Sequence, residues 1–229
     1  MTAMPKPRQP LSRERIVETA IALVDAEGLD ALTMRRLGAD LGVDPMAVYY
    51  YVPSKAALLD AVVEAVMAEI DLGVDDPSAA PVERLVRAAQ AYAGVLVRHR
   101  NALPLLLVRG PATPEALAPL EVMVGILRSG GLPPQHAVAG VHVLTAAVRG
   151  YAAIIANETT NPGQRDGEAL VALASPEKFP HLSEAAAQPR QDTQATFEFG
   201  LRAIAVGLLR VRDAEQQSGS VDAVQVDPA

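Results

Sequence analysis

The apolar residues of this chain recur at three- and four-residue spacing in stretch after stretch, and nowhere do they alternate. Ile16, Ala20, Leu23 and Val24 form one such stripe. Leu58, Leu59, Val62, Val63, Val66, Met67 and Ile70 form another, and Leu85, Val86, Ala89, Tyr92, Ala93 and Leu96 a third. Phe197, Leu201, Ile204, Leu208 and Leu209 close the series. That period gathers apolar side chains on one face of a helix, whereas a strand needs every second residue. The expected fold class is all-α. Composition agrees: half of the 229 residues are hydrophobic but only five Tyr and three Phe are aromatic, so the apolar mass is Ala, Val and Leu. Side chains of that kind suit packed helices better than a β-sandwich.

The same inventory excludes several kinds of chemistry. With no Cys, the chain has no disulfide framework, thiol nucleophile, iron–sulfur cluster or Cys-based zinc site, and a cytoplasmic location is expected. Lys6, Arg8 and Arg13 are followed by no apolar run of the kind a secretory signal needs. Residues 137–156 are long and apolar enough for a membrane span, but they include His142 and Arg149. An Arg in mid-span costs roughly 3 kcal/mol, so a core helix of a soluble protein is expected, and no membrane partner. No Gly-rich phosphate loop, nucleophile elbow or metal-ligand spacing is present, and no enzyme, catalytic residue, metal or cofactor is expected.

Glycine and proline mark where the helices stop. Gly28 stands at the expected end of the first helix, Thr33 can cap a second with Leu37 and Leu41 inward, and Gly42 permits a tight turn. Asp44-Pro45 marks a third start, with a strong N-cap before a favoured first residue, and Pro53 closes it after two turns. Ser54 can cap a fourth helix, and Gly73 to Pro81 breaks the pattern again. Residues 157–190, interrupted by Pro162, Pro176, Pro180 and Pro189, are expected to be mostly loop. The resulting division is a DNA-reading unit at 11–56, a connecting helix and linker at 57–81, a larger helical domain at 82–212, and a flexible tail at 213–229.

Two short helices joined by a Gly turn match a helix-turn-helix reader of the major groove. Val48 is the expected anchor against Leu37, Leu41 and Val43, leaving Met46, Ala47, Tyr49, Tyr50 and Tyr51 to divide between core and surface. Three consecutive tyrosines cannot all face one core. Tyr51 is expected to fill it, while the others reach phosphate, sugar or thymine methyl groups. Arg35, Arg36 and Lys55 are candidate phosphate contacts, the plain alternative being a solvated charged face. The net charge is −7, but residues 1–55 hold seven basic and seven acidic side chains. The acidic excess therefore lies entirely outside the unit proposed to meet DNA.

Residues 11–63 resemble the DNA-binding domain of the TetR/AcrR family of transcriptional regulators. Ala20, Gly28, Leu32-Thr33-Met34-Arg35-Arg36-Leu37, Leu41-Gly42-Val43, Val48-Tyr49-Tyr50-Tyr51-Val52 and Ser54-Lys55-Ala57-Leu58-Leu59 carry the likeness. The resemblance implies a homodimeric repressor on a palindromic double-stranded operator. By position, Thr33, Arg35, Tyr49 and Lys55 would contact the DNA backbone, and Pro45, Met46, Ala47 and Tyr50 would lie nearest the bases.

Residues 85–209 are similar to the ligand-binding domain of the tetracycline-repressor branch, through Arg98-His99-Arg100, Gly130-Gly131-Leu132 and Phe197-Glu198-Phe199-Gly200-Leu201 with Gly207-Leu208. This likeness implies dimerisation through helices near 137–156 and 192–212, where Ala146, Ala147, Gly150, Ala152 and Ala153 allow close approach. It also implies a pocket lined by Tyr92, Leu103, Leu106, Leu107, Val124, His142 and Tyr151. Leu106 and Ala146 stand where the branch's prototype holds a drug–magnesium chelate through histidines. The implied effector is therefore an apolar or weakly polar organic molecule. The alternative is an activator, or a regulator answering to a protein partner.

Overall fold

The computed structural model of the protein describes residues 10–72, 76, 78–110, 113–160, 175–188 and 192–221, and among these no strand occurs. Ten α-helices follow in order among the described residues. They are α1 (Arg13–Glu27), α2 (Met34–Leu41), α3 (Pro45–Tyr51), α4 (Lys55–Ala68), α5 (Pro81–Arg98), α6 (Leu103–Val108), α7 (Ala118–Ser129), α8 (Pro134–Thr160), α9 (Pro180–Ala186) and α10 (Thr193–Val221). Short 3-10 turns sit at Leu29–Ala31, Arg100–Ala102 and Glu115–Leu117.

The chain forms two compact units: residues 1–69 with 99–117, and residues 70–98 with 118–229. In the first, Ile16, Ala20 and Val24 of α1 pack with Leu37 of α2, Val48 of α3 and Leu58, Val62 and Val66 of α4 in a fully buried aliphatic core. Segment 99–117 belongs here, not with the C-terminal helices that follow it in the expected division at 82–212. Two polar contacts give the reason: Asn101 Nδ2 donates to the Asp25 carbonyl at 2.7 Å, and Arg109 pairs with Asp60 of α4.

In the second unit α5 packs against α7, α8 and α10, and α8 packs against α7 and α10. Helix α8 is long and apolar enough to cross a membrane by length and composition, with a third of its most apolar window buried within the protein. Ala137, Val141, Leu144, Val148 and Ala152 form its buried stripe. Residues 161–174, on which part of the expected loop falls, lie outside the described residues. Helix α10 continues to Val221, past the expected start of a tail at 213. No Pro interrupts Asp213 to Val221, and its Ala, Glu and Gln favour helix.

Candidate nucleic-acid interface and effector-binding unit

Three side chains build the reader by capping. Thr33 Oγ1 accepts the Arg36 amide at 3.1 Å, Asp44 Oδ1 the Met46 amide at 2.8 Å, and Ser54 Oγ the Ala57 amide at 3.1 Å. Each satisfies an amide that a helix start leaves without an internal partner. Between α2 and α3, Gly42 is left-handed at φ 70°, and the Val43 amide returns to the Gly38 carbonyl at 2.9 Å. Gly38 is needed for a different reason. A Cβ there would lie 3.1 Å from the Val43 carbonyl oxygen and 3.2 Å from Pro45, so any larger residue would push the turn away by a few tenths of an ångström.

Capping and turn together aim the short helix α3. Val48 is completely buried, as expected of the anchor, while Met46 and Tyr50 stand out at 71% and 86% exposure. Pro45 and Ala47 are half-buried beside them, and Tyr49 is partly exposed. Tyr51 does not fill the core: it remains 38% exposed and meets Tyr50 edge to face at 5.3 Å. Val52, 2% exposed, takes the inner position because the chain leaves helical geometry there (φ −133°, ψ 104°) and turns that side chain inward.

The candidate cations differ in what holds them. Arg36 is bound on its own protein: Nε lies 3.1 Å from both Asp40 carboxylate oxygens, and Nη2 is 2.6 Å from Glu27 Oε1. Its hydrogen bonds to Asp40, and then those to Glu27, raise its pKa further. Those carboxylates cancel the charge it would bring to a phosphate, a competition the helical spacing alone does not reveal. Arg35 and Lys55 are exposed, as is Thr33 at the start of α2.

The expected pocket residues fall in both units. Leu103 and Leu106 are buried in the first, where Leu107 is exposed. In the second, Tyr92 is buried and its hydroxyl accepts from Arg149 Nε at 3.0 Å, so Arg149 of α8 faces inward onto α5. His142 of α8 is exposed, and Val124 of α7 is half-buried. Tyr151 stacks on Phe197 of α10 with ring centroids 3.7 Å apart and planes 8° from parallel. Its hydroxyl donates to Gln194 Oε1 at 2.8 Å. These residues, with Gln90, Ala93, Gly94 and Val97, line a cleft of about 170 Å³. Tyr151 is the one expected pocket residue lining it. Gln90, Gln194 and Phe197 join it through packing of helices about a hundred residues apart, for which the sequence holds no local signal.

The model for the C-terminal domain described as "Tetracyclin repressor-like" matches residues 76–212, and that for "Bacterial regulatory proteins, tetR family" matches residues 16–62. The chain belongs to the TetR family. It is a transcriptional regulator, with a DNA-binding helix-turn-helix domain and a ligand-binding C-terminal domain. Among similar TetR-family proteins is the transcriptional repressor DrrR1 of Streptomyces coeruleorubidus, 33% identical over 64% of this chain and 54% of that protein. The match thus spans about half the length of that relative. The class E tetracycline repressor of Escherichia coli is 25% identical over 91% of this chain and 95% of its own. Apo ActR of Streptomyces coelicolor superposes with a TM-score of 0.78 and 29% identity over 91% of this chain and 99% of ActR. ActR in complex with actinorhodin gives 0.76 and 30% identity, over 89% of this chain and 99% of ActR.

Proposed function

We propose that this TetR-family regulator is a cytoplasmic homodimeric repressor that occupies a palindromic operator and leaves it when a small, weakly polar organic molecule binds the C-terminal domain. The observation that carries the reading is α3: a capped helix anchored by Val48 that holds out Met46 and Tyr50. Pro45, Met46, Ala47 and Tyr50 face the bases. Thr33, Arg35, Tyr49 and Lys55 hold the phosphates, aided by the amides at the start of α4. The helix lacks Arg, Asn and Gln, the usual bidentate base readers, so thymine methyl contacts and DNA shape supply much of its specificity.

The bare apolar faces of α8 (Val138, Val143 and Ile154, with Ala146 and Gly150) and of α10 (Phe199 and Val211, with Ala203 and Gly207) support dimerisation. The hydrocarbon side chains of Leu106 and Ala146 cannot ligate a magnesium chelate, whereas the Tyr151–Phe197 stack favours a flat organic molecule. Within the first unit, Arg109 ties the end of α6 to Asp60 on the helix following the reader. A coupling of about 1–3 kcal/mol lowers operator affinity roughly 5- to 150-fold.

Selection from a random duplex pool, followed by fluorescence anisotropy on the selected duplex, tests the reading. Preference over random duplex by more than about 10³-fold, lost in Tyr50→Ala, is the expected result. A protein that selects no sequence, or a Tyr50→Ala variant with unchanged affinity, overturns the groove assignment.

A further inference from the structure

The cleft between α5, α8 and α10 lies wholly within the second compact unit and has a fixed aromatic wall. Phe197 is 8% exposed and backs Tyr151, whose ring lies 8° from parallel with it. The bond from the Tyr151 hydroxyl to Gln194 Oε1 fixes the same ring at its other end. Tyr151 itself is half-buried, so it is the ring of the pair that a guest can meet. A wall already held by its own contacts costs a ligand little ordering.

Helix α5 lines the cleft with the stripe Gln90, Gly94 and Val97. That stripe is turned away from the buried one that carries Leu85, Ala89, Tyr92 and Leu96. Gly94 stands in the interior of the helix, where glycine is unfavourable. It is exposed, and a Cβ there would meet nothing within 4 Å, so no packing against the chain calls for glycine. What the missing side chain does is keep the cleft open. Among the described residues that line it, none is Asp, Glu, Lys, Arg or His. With its Oε1 engaged, Gln194 has the two N–H groups of Nε2 to offer, and Gln90 has both a carbonyl and an amide nitrogen. A volume of about 170 Å³ falls short of the roughly 300 Å³ at which drug-sized sites begin, whereas a cavity of about 150 Å³ holds benzene.

We propose that this cleft is a binding site for one uncharged, planar aromatic ring bearing a carboxamide or similar carbonyl group. The ring lies against Tyr151 over Gly94, in the offset or edge-on manner that aromatic pairs prefer. Its carbonyl accepts from the Gln194 amide, and its own amide donates to the Gln90 carbonyl. A carboxylate there would lose water without meeting a cation, and a saturated ring would lose the flat contact. The site lies on a face of α5 other than the one holding Tyr92, the residue the resemblance implies for a pocket. That its occupation releases DNA rests on the effector reading above; the binding itself does not.

Benzamide, benzoate and cyclohexanecarboxamide separate the parts played by ring, charge and amide. Titrated into full-length protein carrying ring-¹³C tyrosine, without DNA, benzamide should move the Tyr151 signals and saturate with a Kd of about 1 mM. The other two compounds should bind at least about ten-fold more weakly. Gly94→Leu is the discriminating variant. Leucine favours the helix over glycine and has room at this position, yet its side chain takes the place of the ring. Thermal unfolding should come no lower than in wild type, while affinity for benzamide should fall at least about ten-fold. Gln90→Leu, which leaves the aromatic wall intact, should weaken benzamide about five-fold. On the selected duplex, saturating benzamide should lower affinity about five-fold in wild type and have no effect in Gly94→Leu. Tyr151 signals that do not move, equal binding of all these compounds, or undiminished benzamide binding in a folded Gly94→Leu overturns the site. If Gly94→Leu fails to fold, undiminished binding in Gln90→Leu does the same. Binding as expected without release of the duplex sustains the site and sinks its part as the effector site. Binding as expected without any selected duplex sustains the site and sinks the operator reading.

Discussion

Arg35 and Arg36 are adjacent in sequence and both exposed, yet the structure gives them opposite parts. Arg36 is gripped by Glu27 and Asp40. Arg35 has no such pair among the described residues and remains available to a phosphate. If each phosphate contact releases its condensed counterions, Arg35→Ala should reduce the slope of log affinity against log salt by about one, and Arg36→Ala should leave it nearly unchanged. Anisotropy titrations at several salt concentrations decide this; equal slopes for the two variants would reject the distinction. The sequence made both arginines candidates because spacing reports which side chains share a helix face. It does not report which carboxylates fold back onto them. Tyr51 makes the same point from the other side. Its identity suggested a core plug, but the inner place depends on where α3 ends, and Val52 takes it.

At the scale of elements the sequence was far more legible. Thr33, Asp44 and Ser54 were read as helix starts, and all three side chains cap helices. Capping is local chemistry and survives in one dimension; the close approach of Val43 and Pro45 to Gly38 is tertiary and went unread. Asp44→Ala removes the cap from a helix only seven residues long, and should cost about 1 kcal/mol in chemical denaturation. Operator affinity should fall further than stability alone explains, because the capped helix is the one proposed to meet the bases. A second pair joins elements of the other unit: Arg202 of α10 donates to both Glu83 oxygens of α5. That hydrogen bonding, and then the guanidinium's charge, holds the Glu83 carboxyl below its ordinary value. A depressed carboxylate stabilises the fold above its unfolded pKa and loses that contribution as the pH falls through the folded one. Arg202→Ala should therefore reduce stability near neutrality slightly and lose less on acidification; an unaltered acid-unfolding profile would show the exposed pair to be inert.

For the whole molecule, the sequence divided the chain where its composition changes, and the fold divides it otherwise. Linker composition near residues 73–81 is visible in one dimension. The return of segment 99–117 to the first unit is not, since it depends on Asn101, His99 and Arg109 finding partners on α1 and α4. The apolar character of α8 was equally plain, but its two faces serve different ends. One packs inside the unit, and the other leaves Val138, Val143 and Ile154 about half exposed around His142, Ala146 and Gly150. Small residues on a bare apolar face suit close approach of a second helix, and a twofold contact places the same face on both copies. Ala146→Arg would put two guanidinium groups together at the centre of that contact. Sedimentation should then find a particle of 24.1 kDa in place of one twice that mass. The variant should keep its helical signal and bind a single half-site duplex as weakly as wild type does, but lose the added affinity that two linked readers give a palindrome. A variant that still sediments as the doubled mass and binds the palindrome normally would move the dimer contact off α8.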